Sequence, residues 1–108
     1  AAPAEEPVAR GDLVGPGPGV VEPVLIAPPR VTYPPIARQQ RLSGRVVVLV
    51  LVNENGRVTE ARVQSGIGGR SGLDGSVLEA VRGSRFRAAT KNGIPVKMWR
   101  TVVVDVRP

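Results

Sequence analysis

The sequence contains no cysteine and no histidine. Without thiols no disulfide can form, and no thiolate can serve as nucleophile or metal ligand. Without imidazole the commonest general base and metal ligand is missing. Aromatic residues are scarce as well: Tyr33, Phe86 and Trp99 are the three. A core must then be built from Val, Leu and Ile, and the stiff branched ones favour strands. No apolar run approaches the ~20 residues of a membrane span. The start lacks the basic-then-apolar pattern of a secretory leader. A length of 108 residues suits one domain.

What is present is unevenly charged. The net charge is +6. Residues 1–29 carry Arg10 against four acids, net −3, and residues 30–108 carry fourteen basic residues against five acids, net +9. Such a basic part could bind nucleic acid, anionic lipid or an acidic polymer. A plainly solvated surface explains the same arginines equally well. No aromatic is interleaved with a basic cluster as a base-stacking platform requires.

Residues 1–29 read as a flexible linker. Seven prolines interrupt every helix there, and Gly15-Pro16-Gly17-Pro18-Gly19 cannot fill a core. Val20–Ile26 is apolar enough to lie on a surface or pair with an edge strand, but a sticky piece of linker is the preferred reading. The folded part, residues 30–108, opens at Tyr33-Pro34-Pro35. A helix is expected over Pro35–Arg41, with Pro35 in its first turn, Ile36, Ala37 and Gln40 on one side, and Leu42 as a plug.

Val46–Val52 is the strongest signal in the chain. A strand wet on one face alternates, so an unbroken apolar run is covered on both faces or sits mid-sheet. Asn55-Gly56 supplies the positive-φ turn of a hairpin. A second strand follows over about residues 57–64, with an apolar phase shift between Val58 and Ala61 that suggests a bulge. Ser71 is the expected N-cap of a second helix, with Asp74 in its first turn, Leu73, Val77, Ala80 and Val81 as one apolar stripe across Leu73–Arg82, and Gly83 as its stop. Lys91-Asn92-Gly93 is a turn before a last strand over about Val96–Val106. There Met98, Val102, Val104 and Val106 point one way, and Trp99, Thr101, Val103, Asp105 and Arg107 the other. The expected fold is α+β, with element order α-β-β-α-β. A three-stranded antiparallel-type sheet has order 2-1-3, a split β-α-β, with both helices on one face. The alternative order would leave the most apolar strand at an edge, an aggregation hazard.

Catalysis is disfavoured. The folded part offers Glu54, Glu60, Asp74, Glu79 and Asp105 as its only carboxylates, and no two share a spacing that suggests a site. Gly66-Ile67-Gly68 is followed by no Lys-Ser/Thr, so it opens no phosphate loop. No cofactor, metal site or small-molecule substrate is expected.

The motifs taken together have a precedent. Tyr33-Pro34, Ala37, Gly44-x-Val46, Asn55-Gly56-Arg57-Val58, Ser65, Leu73-Asp74, Ala80-Val81, Arg85-Phe86 and Asn92-Gly93-x-Pro95-Val96 occur in an order that resembles the TonB C-terminal domain family over about residues 30–106. Each motif alone is weak; the order and spacings are specific. Ala88-Ala89 departs from the Pro-Ala that the family often has after the Phe-x pair.

The resemblance implies a periplasmic, non-enzymatic module, anchored to the inner membrane by a segment outside this chain. There it would couple to a proton-driven motor complex. It would grip an outer-membrane or periplasmic protein through an extended peptide added beside the last strand. The residues expected at that grip are Val96, Lys97, Met98, Trp99, Arg100, Thr101, Val102, Val103, Val104 and Asp105. By family position Arg30, Val31, Thr32 and Tyr33 join them. Trp99 is weighed first as a packing residue and Tyr33-Pro34 as structural. Two alternatives stay open. A TonB-like domain of a motility or secretion machine would bind a partner that is not a transporter, and the short linker without Pro-Glu or Pro-Lys repeats favours it. A basic domain on an anionic polymer, nucleic acid or glycan, is the lesser one.

Overall fold

The apolar run Val46–Val52 lies at the centre of the protein. The computed structural model describes residues 8–27, 29–67 and 72–107. In chain order its elements are β1 (Val20–Val21), β2 (Val24–Leu25), α1 (Pro35–Gln39), β3 (Gly44–Val52), β4 (Val58–Ser65), α2 (Leu73–Arg82), β5 (Phe86–Arg87), β6 (Ala89–Lys91), β7 (Ile94–Val96) and β8 (Met98–Val106). The main sheet has the order β4-β3-β8, and both neighbours run antiparallel to β3. The aliphatic strand is therefore paired on both edges, which keeps it from templating association.

Its two faces differ. Val46, Val48, Val50 and Val52 are fully buried, whereas Val47, Leu49 and Leu51 are only half-buried on the opposite face. The mid-sheet position, not cover on both faces, accounts for the unbroken run. The buried face carries both helices. Ala37 of α1 and Leu73, Val77 and Val81 of α2 join those four valines, Phe86 and Val102, Val104 and Val106 in one core. On the outer face Trp99 lies beside Leu51 and Arg62 beside Leu49, with the Arg62 guanidinium 5.6 Å from the indole centroid.

Local chemistry closes the hairpin. The Asn53 side chain accepts the N–H groups of Asn55 (3.0 Å) and Arg57 (2.9 Å). Gly56 has φ +79°, and a Cβ there would stand 2.0 Å from the Phe86 carbonyl oxygen, so this turn needs glycine twice over. The bulge falls where the phase shift predicts: Leu51 faces Glu60 and Val52 faces Val58, which leaves Thr59 as the extra residue. A second irregularity lies between Val47 and Val48.

The helices depart slightly from expectation. α1 stops at Gln39, two residues early, because Arg41 turns left-handed (φ 51°). Ile36 is half exposed, so Ala37 and the half-buried Leu42 anchor this end instead. Ser71 lies outside the described residues. Gly72 occupies the N-cap position of α2 at φ 76°, and no side chain caps it. Asp74 instead accepts the Ile67 N–H (3.0 Å), tying the loop after β4 to the helix start.

The largest difference is at the N-terminal side. Residues 8–27, which the sequence presents as linker, lie along the domain. Val20–Val21 pairs with Thr90–Lys91, and Val24–Leu25 with Phe86–Arg87. The expected turn at Asn92-Gly93 joins a true hairpin, β6–β7, with both residues at positive φ. Val14 and Val20 pack with Ala89, Val96 and Met98 as a second small core. Prolines do not prevent this, because the pairing comes in two-residue pieces between them.

The asymmetry of β3 and β8 predicts the response to truncation. Val50→Ala opens a cavity under the helices and should lower unfolding free energy in urea by about 2–3 kcal/mol. Val103→Ala, on a residue 55% exposed, should change it by less than about 0.5 kcal/mol.

Candidate partner-binding edge

Successive peptides in a strand point to opposite edges, so a single hydrogen bond fixes the phase of a whole strand. Asn53 donates its N–H to the Arg57 carbonyl (2.9 Å), so its peptide faces β4. By alternation Val48, Val50 and Val52 face β8. Their partners Val102, Arg100 and Met98 face back. The peptides of Trp99, Thr101, Val103 and Asp105 therefore point away from the sheet. Lys97 confirms the phase from the other side. It donates to the Asp12 carbonyl (2.8 Å) and accepts from Val14 N–H (2.9 Å), both on the outer edge. Among the described residues no strand pairs with that edge beyond the Leu13–Lys97 bridge.

The expected site residues do not share one environment. Trp99, Thr101, Val103 and Asp105 present open peptides, and their side chains lie on the outer sheet face. Val102 and Val104 are buried in the main core beneath the helices and Met98 in the second core, and together they hold the strand in place. Val96 is buried in the second core and paired with Ala89, while Lys97 is bonded to the N-terminal segment. Arg100 is ion-paired with Glu22, and Asp105 with Arg45 at 3.0 Å; both pairs are solvent-exposed and contribute little to stability.

Arg30 and Thr32 line an open groove against α2, beside Gly75, Ser76 and Leu78. Val31 and Tyr33 pack on the main core, and the Tyr33 hydroxyl donates to the Leu42 carbonyl (2.5 Å). Among the described residues, no hydrogen bond or ion pair joins residues 30–33 to β8. The participants that sequence reasoning missed are Asp12, Val14 and Glu22. A parallel bridge between positions more than eighty residues apart leaves no local pattern; the only signal was the apolar character of Leu13-Val14 and Val20–Ile26.

Chemically, this edge presents main-chain donors and acceptors at the spacing of an extended strand. Among the described residues no cluster of three acidic side chains is placed to hold a metal ion, and no helix is long and apolar enough to cross a membrane.

A family model for the Gram-negative bacterial TonB protein C-terminal region matches residues 29–105. The chain belongs to the TonB C-terminal family. Protein TonB of Xanthomonas campestris pv. campestris, from strains B100 and ATCC 33913, is 38% identical over 66 residues, 61% of this chain. That match spans 28% of the length of each relative. The solution NMR structure of the Pseudomonas aeruginosa TonB C-terminal domain superposes with a TM-score of 0.58 at 25% identity, covering 85% of this chain and 89% of that one. The mixed α+β architecture with two helices on antiparallel sheet is thus the architecture of a TonB C-terminal domain.

Tyr33 supplies a pH test of its structural role. Desolvation by partial burial raises its phenol above the ordinary 10.0. A phenol that holds its proton more tightly when folded contributes stability that is complete below pH 10 and is lost as pH rises through the raised value. Wild-type stability should therefore fall as pH climbs past 10, measured by urea unfolding. Tyr33→Phe should lack that decline, and at pH 7 it should cost about 1 kcal/mol for the lost hydrogen bond.

Proposed function

We propose that this TonB-family domain is a protein-binding module of an energy-transducing machine, which grips an envelope partner by strand addition at the outer edge of β8. The supporting observation is the row of outward peptides at Trp99, Thr101, Val103 and Asp105, on a strand whose other edge and inner face are fully engaged. Main-chain bonds to an added strand give affinity. Alternate side chains, here Trp99, Thr101 and Val103, give register. A strand held through both its ladder and its buried valines resists displacement when its neighbour is pulled along the strand axis.

Family membership supports a reading of the compartment and partners. The domain works in the periplasm, tethered to the inner membrane by chain outside this sequence. The inner-membrane motor acts through that tether. The partner is an outer-membrane transporter that offers an extended plug peptide.

Chemical-shift mapping with such a plug peptide tests the reading. Changes should centre on residues 99–105; changes confined to the exposed face of α2 would refute it. Val103→Pro removes a donor from the outer edge while sparing the ladder to β3, and Pro is tolerated on edge strands. It should weaken peptide binding about tenfold or more, with the fold retained. Undiminished affinity would argue against strand addition.

A further inference from the structure

The outer edge of the last strand is not open along its whole length. Before Trp99, the outward groups of the strand are the Pro95 carbonyl and both groups of Lys97, and all of them are taken. Gly11 donates to the Pro95 carbonyl (3.0 Å), Asp12 accepts from Lys97 (2.8 Å), and Val14 donates to Lys97 (2.9 Å). Gly11 sits in a turn, and Leu13 forms an isolated parallel bridge with Lys97, so residues 11–14 occupy this edge beside residues 95–97.

This pairing ends for reasons written in the sequence. In a parallel ladder, alternate residues of the added strand bond to the edge. After Val14 the next donor, aimed at the Trp99 carbonyl, would be residue 16, and the one after it residue 18. Both are proline and have no N–H. The chain then turns, with Val20 donating to the Gly17 carbonyl (3.2 Å), and crosses to the far side of the β6–β7 hairpin, where Val20–Val21 pairs with Thr90–Lys91. The return anchors the segment, so sliding forward along β8 would cost the pairing of β1.

We propose that Gly11–Val14 is a built-in end-stop on the docking edge. Resting on the strand-addition reading, it confines an incoming strand to the stretch from Trp99 to Asp105 and so fixes where the partner's register begins. The segment fills the edge before Trp99 with the protein's own chain, and Pro16 and Pro18 stop that chain from covering the rest. The partner it fits is an extended segment of about seven residues whose first bond is made at Trp99.

Residue-resolved amide exchange on the full 108-residue chain tests this without any partner. In the wild type, the Lys97 amide should exchange at least about tenfold more slowly, after correction for intrinsic rates, than those of Trp99, Thr101 and Val103. Gly11→Pro/Val14→Pro removes both donors and forbids the φ of +87° at position 11. In this variant Lys97 should exchange as fast as Trp99, with Val48 and Val50 still slow as the check on the fold. Equal rates at Lys97 and Trp99 in the wild type, or an undisturbed Lys97 in the variant, would overturn the end-stop. With the plug peptide, the variant's footprint should extend back to Lys97 and its affinity should rise about fivefold. A footprint that still begins at Trp99 would also overturn it. Failure of either form to bind the peptide would refute strand addition, while the exchange rates would still decide whether residues 11–14 cap the edge.

Discussion

The structure depends on the burial of four valines, Val46, Val48, Val50 and Val52, on one face of β3. Each contributes roughly 1.5–3 kcal/mol of transfer free energy, an amount comparable in sum to the net stability of a small domain. That burial requires two helices on the same face. It also requires a partner strand on each edge, because peptides beside a dry core cannot be left unbonded. β4 follows directly through the Asn53–Gly56 turn. Among the described residues β8 is the only long strand left for the other edge, so it is placed at the margin of the sheet. An outward-facing edge on β8 is thus a consequence of the core.

Whether that edge can be used is a matter of phase. The same alternation that buries Met98, Val102, Val104 and Val106 gives their peptides to β3 and leaves those of Trp99, Thr101, Val103 and Asp105 outside. Side chains that hold the strand and peptides that can bond a newcomer therefore belong to different residues. Strand addition as proposed would leave every contact of the core in place. This separation suits a module that must stay folded under load.

Much of this was legible in the sequence, and the limits are physical. Val46–Val52 announced its central place because few environments other than mid-sheet tolerate an unbroken aliphatic run. The alternation in residues 98–107 announced a strand with one wet face. The Asn55-Gly56 turn and the bulge near Thr59 were readable because they are local. The role of residues 8–27 was not. Their pairings come in two-residue pieces and one isolated bridge, all to positions about sixty to eighty-five residues away, and each piece is too short to impose a period. Of the expected site, Trp99–Asp105 stood on alternation and emerged as one edge. Val96 and Lys97 were extrapolated from it and are engaged by the hairpin and the N-terminal segment.

The Gly15–Gly19 tract takes on a different meaning in this light. As composition, proline and glycine say only that no core can form there. As geometry, their positions matter. Gly19, where the chain crosses the hairpin, has a φ of 76° that few other residues accept, and a Cβ there would collide with the Asn92 side chain. Pro16 and Pro18 fall on the two positions whose N–H groups would otherwise bond Trp99 and Thr101. An aliphatic-rich segment beside an unpaired edge would be expected to zip along it. Here the segment is held by Gly11–Val14 at one end and Val20–Leu25 at the other, and the tract between them supplies no donor in register with the edge. Edge strands are commonly protected by covering them; this one is covered at its start by the chain's own residues 11–14 and, among the described residues, has no strand paired to it from Trp99 onward.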